Sequence, residues 1–213
     1  MVIFIKTLLV FMKSGSKESN RAAAINFFYE AGALKNLPRS GWRLAGIKNA
    51  ESTADHSHRA AIIAYTIAKM EGANAERAAT LAVFHDLPEA RIGELDKIMA
   101  SYHDKKAAEL KAVKESEASA LFGGKWYADI IAEVEEKKTP ESKAANDADL
   151  LELVLTAIEY SQSGFSKARD WALAKRDRML TESGKKLYDS ALKSDSSGWW
   201  KKVWQKQGLL RTG

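Results

Sequence analysis

A short loop between two helical segments is the feature that most constrains how this chain can fold. Ser52 or Thr53 precedes a first segment, residues 54–72, which carries apolar side chains at helical spacing and ends at Gly72. Asn74 then caps a second segment, residues 75–86. Because so few residues separate the two helices, they must lie antiparallel. The beginning of the first helix is therefore expected beside the end of the second.

Side chains of the metal-binding types occupy both of these ends. His56 lies at the start of the first helix, and the adjacent pair His85 and Asp86 closes the second. Imidazole nitrogens and carboxylate oxygens together can bind one divalent metal ion. His58 points about 200° away from His56 around the helix, so only one of these two can be a ligand. The antiparallel pair thus predicts that three ligands converge.

A carboxylate follows the histidine–aspartate pair at a bend. Pro88 disfavours helical geometry at Leu87, so the chain should turn just after the pair. Glu89 then lies close to the predicted metal site without being needed as a ligand. A free carboxylate in such a place is a candidate for proton transfer.

A later helix carries two further carboxylates beside an apolar stripe. It begins at Thr139 and Pro140, continues to about residue 164, and includes Asp147 and Asp149. An unpaired buried carboxylate is costly, so each aspartate needs a partner. A metal ion, an arginine or a helix N-terminus would serve equally well, and spacing alone does not choose between them.

The segment 34–46 is predicted to be a loop because it contains Pro38 and Gly41. It presents Arg39 and Trp42 close together. This is typical of a binding loop, but an exposed arginine beside a tryptophan that anchors the core fits the same residues.

Composition indicates one large helical domain or two small ones. Of 213 residues only three are proline, and alanine, leucine, lysine and glutamate are abundant. No cysteine is present, so we expect a cytoplasmic protein without disulfides or thiolate metal sites. The net charge of +5 suits phosphorylated substrates and does not by itself indicate nucleic acid.

The two ends of the chain are each open to two interpretations. The apolar segment 1–12, MVIFIKTLLVFM, fits a targeting or membrane-surface role, or a segment packed on the core or on a partner subunit. The tail, residues 194–210, contains three tryptophans and three lysines, which fit single-stranded nucleic acid. Packing of these rings on the body is favoured, because one helical face carries Trp199, Trp200, Val203 and Trp204.

Two further stretches are predicted to be continuous helices. The first runs from Lys105 to about Phe122, and alternating lysine and glutamate indicate a solvated face. The second runs from Phe165 to Leu192, with a possible interruption at Gly184.

Four ordered motifs give the chain a family resemblance. They are LPRSGW at 37–42, ESTADHSHRAA at 51–61, LAVFHDLPEARIGEL at 81–95 and ADLLELVLTAIEY at 148–160. The chain resembles the HD-domain phosphohydrolases, and within them the 5′-deoxynucleotidase (YfbR-like) group. The resemblance implies an all-α fold, an HD-domain helical bundle with additional C-terminal helices. We expect an N-terminal segment at 1–20, the core at 21–165, and a C-terminal extension at 166–213 packed on the core.

The resemblance also implies roles for particular residues. One divalent transition metal (Mn, Co, Fe, Ni or Zn) would be bound by His56, His85, Asp86 and Asp149. The implied catalytic carboxylates are Glu89 and Glu94, and the implied substrate contacts are Arg39 at the phosphate and Trp42 near the sugar. The family usually has aspartate where this chain has Glu94, and a basic residue where it has Asn146. These departures bear on substrate preference.

The activity implied by the resemblance is hydrolysis of deoxyribonucleoside 5′-monophosphates by a homodimer that binds neither membrane nor nucleic acid. An alternative is an HD hydrolase acting on another nucleotide phosphate ester, such as a nucleoside triphosphate or a cyclic dinucleotide. A helical module that binds nucleic acid through its basic C-terminus is the non-enzymatic alternative.

Overall fold

A computed structural model describes residues 17–210, and these residues fold into α-helices joined by turns, loops and short 3₁₀ helices. The only extended pairing among them is an isolated bridge between Pro38 and Ser52. The predicted segment 1–12 lies outside the described residues. The α-helices, in chain order, are α1 (Lys17–Ala33), α2 (Thr53–Glu71), α3 (Ala75–Phe84), α4 (Glu89–Ile92), α5 (Lys97–Ala100), α6 (Lys105–Glu115), α7 (Glu117–Phe122), α8 (Gly124–Glu136), α9 (Pro140–Gln162), α10 (Arg169–Ala172), α11 (Glu182–Ala191) and α12 (Gly198–Lys206).

Side-chain caps define the helices that carry the predicted site. Ser52 and Asp55 form a reciprocal capping box at the start of α2, and Gly72 ends that helix in the left-handed conformation. The Asn74 side chain accepts a hydrogen bond from the backbone N–H of Arg77 at the start of α3. The predicted helix pair and its connecting turn are therefore confirmed.

Helix α9 completes the core by packing along both α2 and α3. The backbone N–H of Asn74, in the α2–α3 turn, donates to Glu141 Oε1 at 2.9 Å, which ties that turn to the beginning of α9. Small and branched side chains allow the three helices to approach closely. Buried residues at their shared interface include Ala60, Ala64, Ile67, Leu81, Val154 and Ile158. The predicted all-α fold is confirmed.

Two predicted continuous helices are interrupted. Ser116 adopts an extended conformation and caps a new helix, because its hydroxyl accepts from the backbone N–H of Ser119 at 3.2 Å. The predicted helix 105–122 is therefore two helices, α6 and α7. The predicted helix 165–192 is wrong as well: it consists of a short helical segment at 166–172, a second at 176–178, and α11.

Gly184 does not interrupt a helix but lies inside α11, where it allows close packing. A Cβ at this position would overlap the carboxylate of Asp147 and lie 2.9 Å from Thr181 Oγ1. Asp147 accepts hydrogen bonds from the backbone N–H groups of Leu180 and Thr181 at 2.7 and 2.8 Å. This aspartate thus binds the N-terminus of α11, one of the three partners that its sequence allowed.

The C-terminal helices differ in how they pack. Helix α11 contacts α9 and α2, whereas α12 has no buried side chain. Trp199 is 74% exposed, and Trp200 and Trp204 contact each other with ring centroids 4.9 Å apart. The expectation that the tryptophans of the tail pack onto the body is therefore wrong for Trp199. The division of the chain into the ranges 1–20, 21–165 and 166–213 stays a prediction.

Candidate metal centre

Two histidines present the same ring nitrogen to one point between α2, α3 and α9. His85 follows the last residue of α3, and its Nδ1 lies 2.7 Å from the carbonyl oxygen of Ala82, to which it can donate. The Nδ1 of His56 is hydrogen-bonded to the buried carboxylate of Glu152. Because each Nδ1 already has a hydrogen-bond partner, each Nε2 remains available to bind a metal ion.

Four ligand-type atoms meet at this point. The Nε2 of His85 lies 3.4 Å from that of His56 and 3.1 Å from Asp86 Oδ2. Asp149 Oδ1 lies 3.2 Å from His56 Nε2 and 4.0 Å from His85 Nε2. Asp86 Oδ2 is also 3.7 Å from His56 Nε2. Atoms about 2.0–2.2 Å from a common divalent ion have separations of this size, so His56, His85 and Asp86 fit such an ion, and Asp149 lies beside the two histidines.

The electrostatics of the cluster favour a bound cation. Burial and Arg39 oppose protonation of His56, yet Asp149 and Glu152 raise its pKa to about 10. Against the effect of burial, His56 lowers the pKa of Asp149 to about 2. Two histidines among carboxylates thus hold positive charge strongly, either as protons or as a metal ion that displaces them. The residues present can hold a divalent ion.

Glu152, which had no predicted role, is fully buried one helical turn after Asp149. Its Oε2 contacts His56, and its Oε1 accepts from Arg59 Nε at 3.0 Å and Arg59 Nη2 at 2.7 Å. Thr156 Oγ1 lies 3.0 Å from the same Oε1. The i, i+3 spacing of Asp149 and Glu152 in ADLLE was the available signal, since it places both on one face of α9.

A short extended segment places Arg39 at the cluster. The backbone N–H of Arg39 donates to the carbonyl of Glu51 at 3.0 Å, and that of Thr53 donates to the carbonyl of Leu37 at 2.8 Å. Arg39 is thereby held beside the start of α2. Its Nη1 lies 3.2 Å from Asp86 Oδ2, so the guanidinium borders the candidate metal ligands.

Glu89 lies under the cluster at the start of α4 and is 4% exposed. Its Oε1 accepts from Lys105 Nζ at 3.2 Å, whereas its Oε2 is buried and has no partner among residues 17–210. Burial and the nearby charge of Asp86 raise the pKa of Glu89 to about 8. A carboxyl group that titrates near neutrality and has a free oxygen is suited to exchanging a proton with a bound molecule.

The other two predicted site residues make mainly structural contacts. Trp42 is 2% exposed, its Nε1 donates to Glu51 Oε1 at 3.1 Å, and its ring packs edge-on against Tyr160. It anchors the core beneath the site, and its contact with a sugar stays a prediction. Glu94 Oε2 accepts from the backbone N–H of Ser40 at 2.6 Å, which fixes the segment that bears Arg39.

A cavity of about 510 Å³ opens onto the cluster, within the range of roughly 300–1,000 Å³ typical of small-molecule sites. Its walls carry every predicted site residue except His56 and His85, together with residues that had no predicted role. The charged and aromatic groups that line it are Arg39, Trp42, Asp86, Glu89, Glu94, Asp96, Lys97, Lys105, Asp149, Asp170, Trp171, Lys175 and Arg178.

Fold and site together define an all-helical protein with a His₂-carboxylate₂ cluster at a cavity. The model of the HD domain family matches residues 31–187. The 5′-deoxynucleotidase HDDC2 of Danio rerio is 32% identical over 145 residues, which cover 65% of this chain and 70% of that protein.

Solved structures show the same likeness. A conserved hypothetical protein from Pyrococcus furiosus superposes with a TM-score of 0.69 at 30% identity, covering 80% of this chain and 99% of that one. A predicted metal-dependent phosphohydrolase from Magnetospirillum magnetotacticum gives a TM-score of 0.61 at 25% identity, covering 82% and 96%. The chain belongs to the HD-domain family, and the predicted resemblance to 5′-deoxynucleotidases is confirmed.

Proposed function

We propose that the protein is a metal-dependent phosphomonoesterase that hydrolyses deoxyribonucleoside 5′-monophosphates to deoxynucleoside and phosphate. The observation that carries this proposal is the convergence of His56, His85, Asp86 and Asp149 beside the free oxygen of Glu89. Relatives that are 30% and 32% identical to this chain are named 5′-deoxynucleotidases, which supports the choice of substrate.

The metal ligands in this proposal are His56, His85, Asp86 and Asp149. A divalent ion held by them would supply Lewis acidity that offsets charge on the phosphoryl group and makes water a better nucleophile. The donor set of two imidazoles and two carboxylates suits Mn, Fe, Co, Ni or Zn.

Arg39 would bind and orient the phosphate. Its guanidinium lies at the edge of the cluster with Nη1 3.2 Å from Asp86 Oδ2, so a phosphate that reaches the cluster lies within its range. A planar guanidinium can donate two parallel hydrogen bonds to phosphate oxygens. Glu94 would act indirectly here, by holding the Ser40 backbone next to Arg39.

Glu89 would move the proton. Its Oε2 has no protein partner among the described residues, so it can donate to the leaving 5′-oxygen or accept from the attacking water. Lys105, bound to the other oxygen, holds the carboxyl group in place. Substitution Glu89→Gln should lower kcat about 10²–10⁴-fold with little change in KM. The matched control Glu109→Gln removes the other carboxylate that pairs with Lys105, and should retain activity.

Three other expectations stay proposals. The protein would act as a homodimer in the cytoplasm, and Trp42 would lie near the sugar.

None of the helices in residues 17–210 has the length and apolar character to span a bilayer.

The test is phosphate release from a panel of nucleotides by the purified protein. We expect release from deoxyribonucleoside 5′-monophosphates that stops when metal is chelated, returns when metal is added, and disappears in His85→Ala and Asp86→Ala. Full activity in either variant would contradict the proposal. Turnover of nucleoside triphosphates or cyclic dinucleotides alone would favour the alternative HD hydrolase.

A further inference from the structure

Three cationic side chains line the cavity without serving the reaction proposed above. They are Lys97, Lys175 and Arg178, referred to below as the basic triad. Within residues 17–210, none of the three has a carboxylate oxygen within 4.0 Å, although Asp96 and Asp170 line the same cavity. Asp96 is paired instead with Arg43 at 2.7 Å. The triad therefore contributes three cations without an ion-pair partner among the described residues to the wall of the cavity.

The basic triad borders the candidate active site through two sets of contacts. Lys97 follows Asp96, whose backbone N–H donates to the Ser40 hydroxyl at 3.0 Å, next to Arg39. The carbonyl of Arg178 accepts from Asn146 Nδ2 at 3.4 Å. Asn146 precedes the candidate ligand Asp149 by three residues, or about 4.5 Å along the helix axis.

The backbone before Lys175 is held in an unusual conformation. Ala174 has φ of +54°, a left-handed geometry that residues other than glycine rarely adopt and that costs about 1–3 kcal/mol. The helical turn that follows is secured because Arg176 Nε donates to Asp189 at 2.9 Å and the Arg178 N–H donates to the Lys175 carbonyl at 3.0 Å. Lys175, the residue that follows Ala174, lies in the cavity wall.

The electrostatic environment of Lys175 also favours an anion. Burial, together with the neighbouring charges of Lys97 and Arg178, lowers the pKa of its ammonium group. By contrast, the cations closer to the metal ligands are already paired, Arg39 with Asp86 and Lys105 with Glu89. The cationic charge left for a second anionic group of a substrate therefore lies at the triad.

We infer that the basic triad is a second anion subsite that binds a phosphate on the 3′-oxygen of a nucleotide whose 5′-phosphate lies at Arg39. The inference rests on the proposed function and extends it to nucleoside 3′,5′-bisphosphates and to the 5′-end of short oligonucleotides, which share this chemistry. In the reaction, water adds to the 5′-phosphorus, the P–O5′ bond breaks, and O5′ takes a proton. The products are inorganic phosphate and a nucleoside that keeps its 3′-phosphate.

The test compares three substrates with the metal-loaded enzyme: deoxyadenosine 5′-monophosphate, its 3′,5′-bisphosphate and its 5′-diphosphate. We expect kcat/KM for the bisphosphate to exceed that for the monophosphate about tenfold, mainly through KM, with deoxyadenosine 3′-phosphate as the product. Substitution Lys175→Ala should lower the ratio of kcat/KM for the bisphosphate to kcat/KM for the monophosphate about fivefold or more. The matched control Lys167→Ala, at an exposed lysine outside the cavity lining, should leave the ratio unchanged. A 5′-phosphorylated dinucleotide tests the oligonucleotide source and should follow the bisphosphate.

Other outcomes distinguish a failure of the proposed subsite from a failure of the proposed function. Equal kcat/KM for mono- and bisphosphate, a ratio unaffected by Lys175→Ala, or a preference for the 5′-diphosphate would overturn the subsite and leave the proposed function standing. If none of these substrates is hydrolysed, the proposed function fails, and equilibrium binding in the presence of a chelator decides the subsite. Tighter binding of the bisphosphate that Lys175→Ala abolishes would support it, and equal affinities would overturn it.

Discussion

The carboxylate of Glu152 holds the Nδ1 of His56 while Asp149, one turn earlier on the same helix, faces the Nε2 of that ring. A single helix, α9, thus orients the imidazole of His56 and also carries another candidate metal ligand, Asp149. Arg59 donates twice to the other oxygen of Glu152, so this carboxylate stays ionised and correctly aimed. The pKa of Glu152 is correspondingly lowered: burial opposes ionisation, but His56 and Arg59 outweigh it.

Substitution Glu152→Gln should therefore weaken metal binding about 10–100-fold, because a neutral amide no longer fixes the tautomer and basicity of His56. The measurement is the dissociation constant obtained by competition with a chelating dye. Glu159→Gln is the matched control, since Glu159 binds Arg59 at 2.7 Å without contacting His56. Equal metal affinities in the wild type and Glu152→Gln would show that Glu152 only supports the fold.

Glu89 should make the stability of the metal-free protein depend on pH. Its pKa is about 8 in the folded state against 4.5 for the ordinary side chain, so between these values the folded protein keeps a proton that the unfolded chain releases. This contribution to stability is complete below pH 4.5 and is lost as the pH rises through 8.

The measurement is the free energy of unfolding in urea, with chelator present, for the wild type and Glu89→Gln at pH 5 and pH 8. From pH 5 to pH 8 the wild type should lose at least about 1.4 kcal/mol relative to the variant, the equivalent of one pKa unit. Parallel pH profiles would show that burial does not shift the pKa of Glu89.

Gly184 should be required for the packing of α11 on Asp147. A methyl group at Gly184 overlaps the Asp147 carboxylate, which is already bound to the α11 N-terminus, so Gly184→Ala should cost about 1–3 kcal/mol of unfolding free energy. Gly198→Ala is the control, because a Cβ there meets no atom within 4 Å among the described residues. Similar melting temperatures for the two variants would contradict this account of Gly184.

Local signals in the sequence predicted the part of the fold that holds the candidate site. Caps at Ser52, Asn74 and Thr139 mark where α2, α3 and α9 begin, and the short α2–α3 turn brings His56 to His85. These signals act within a few residues along the chain, which is why pattern analysis detects them.

Partners distant in sequence could not be predicted in the same way. Sequence spacing alone did not distinguish the partner of Asp147 from that of Asp149. The path of residues 173–181 brings the N-terminus of α11 to Asp147. The breaks at Ser116 and at residues 173–181 interrupt patterns that read as continuous helix. Trp42, which fitted both a binding loop and the core, is buried because Tyr160 and Trp171 pack against it from 118 and more residues away.

The central claim is that His56, and not its neighbour His58, belongs to a site for one divalent ion. Equilibrium dialysis of the wild type, His56→Ala and His58→Ala against a first-row divalent metal, followed by elemental analysis, tests it directly. We expect about one ion per chain in the wild type and in His58→Ala, and a large loss in His56→Ala. A full ion retained by His56→Ala, or no ion taken up by the wild type from Mn, Fe, Co, Ni or Zn, would contradict it.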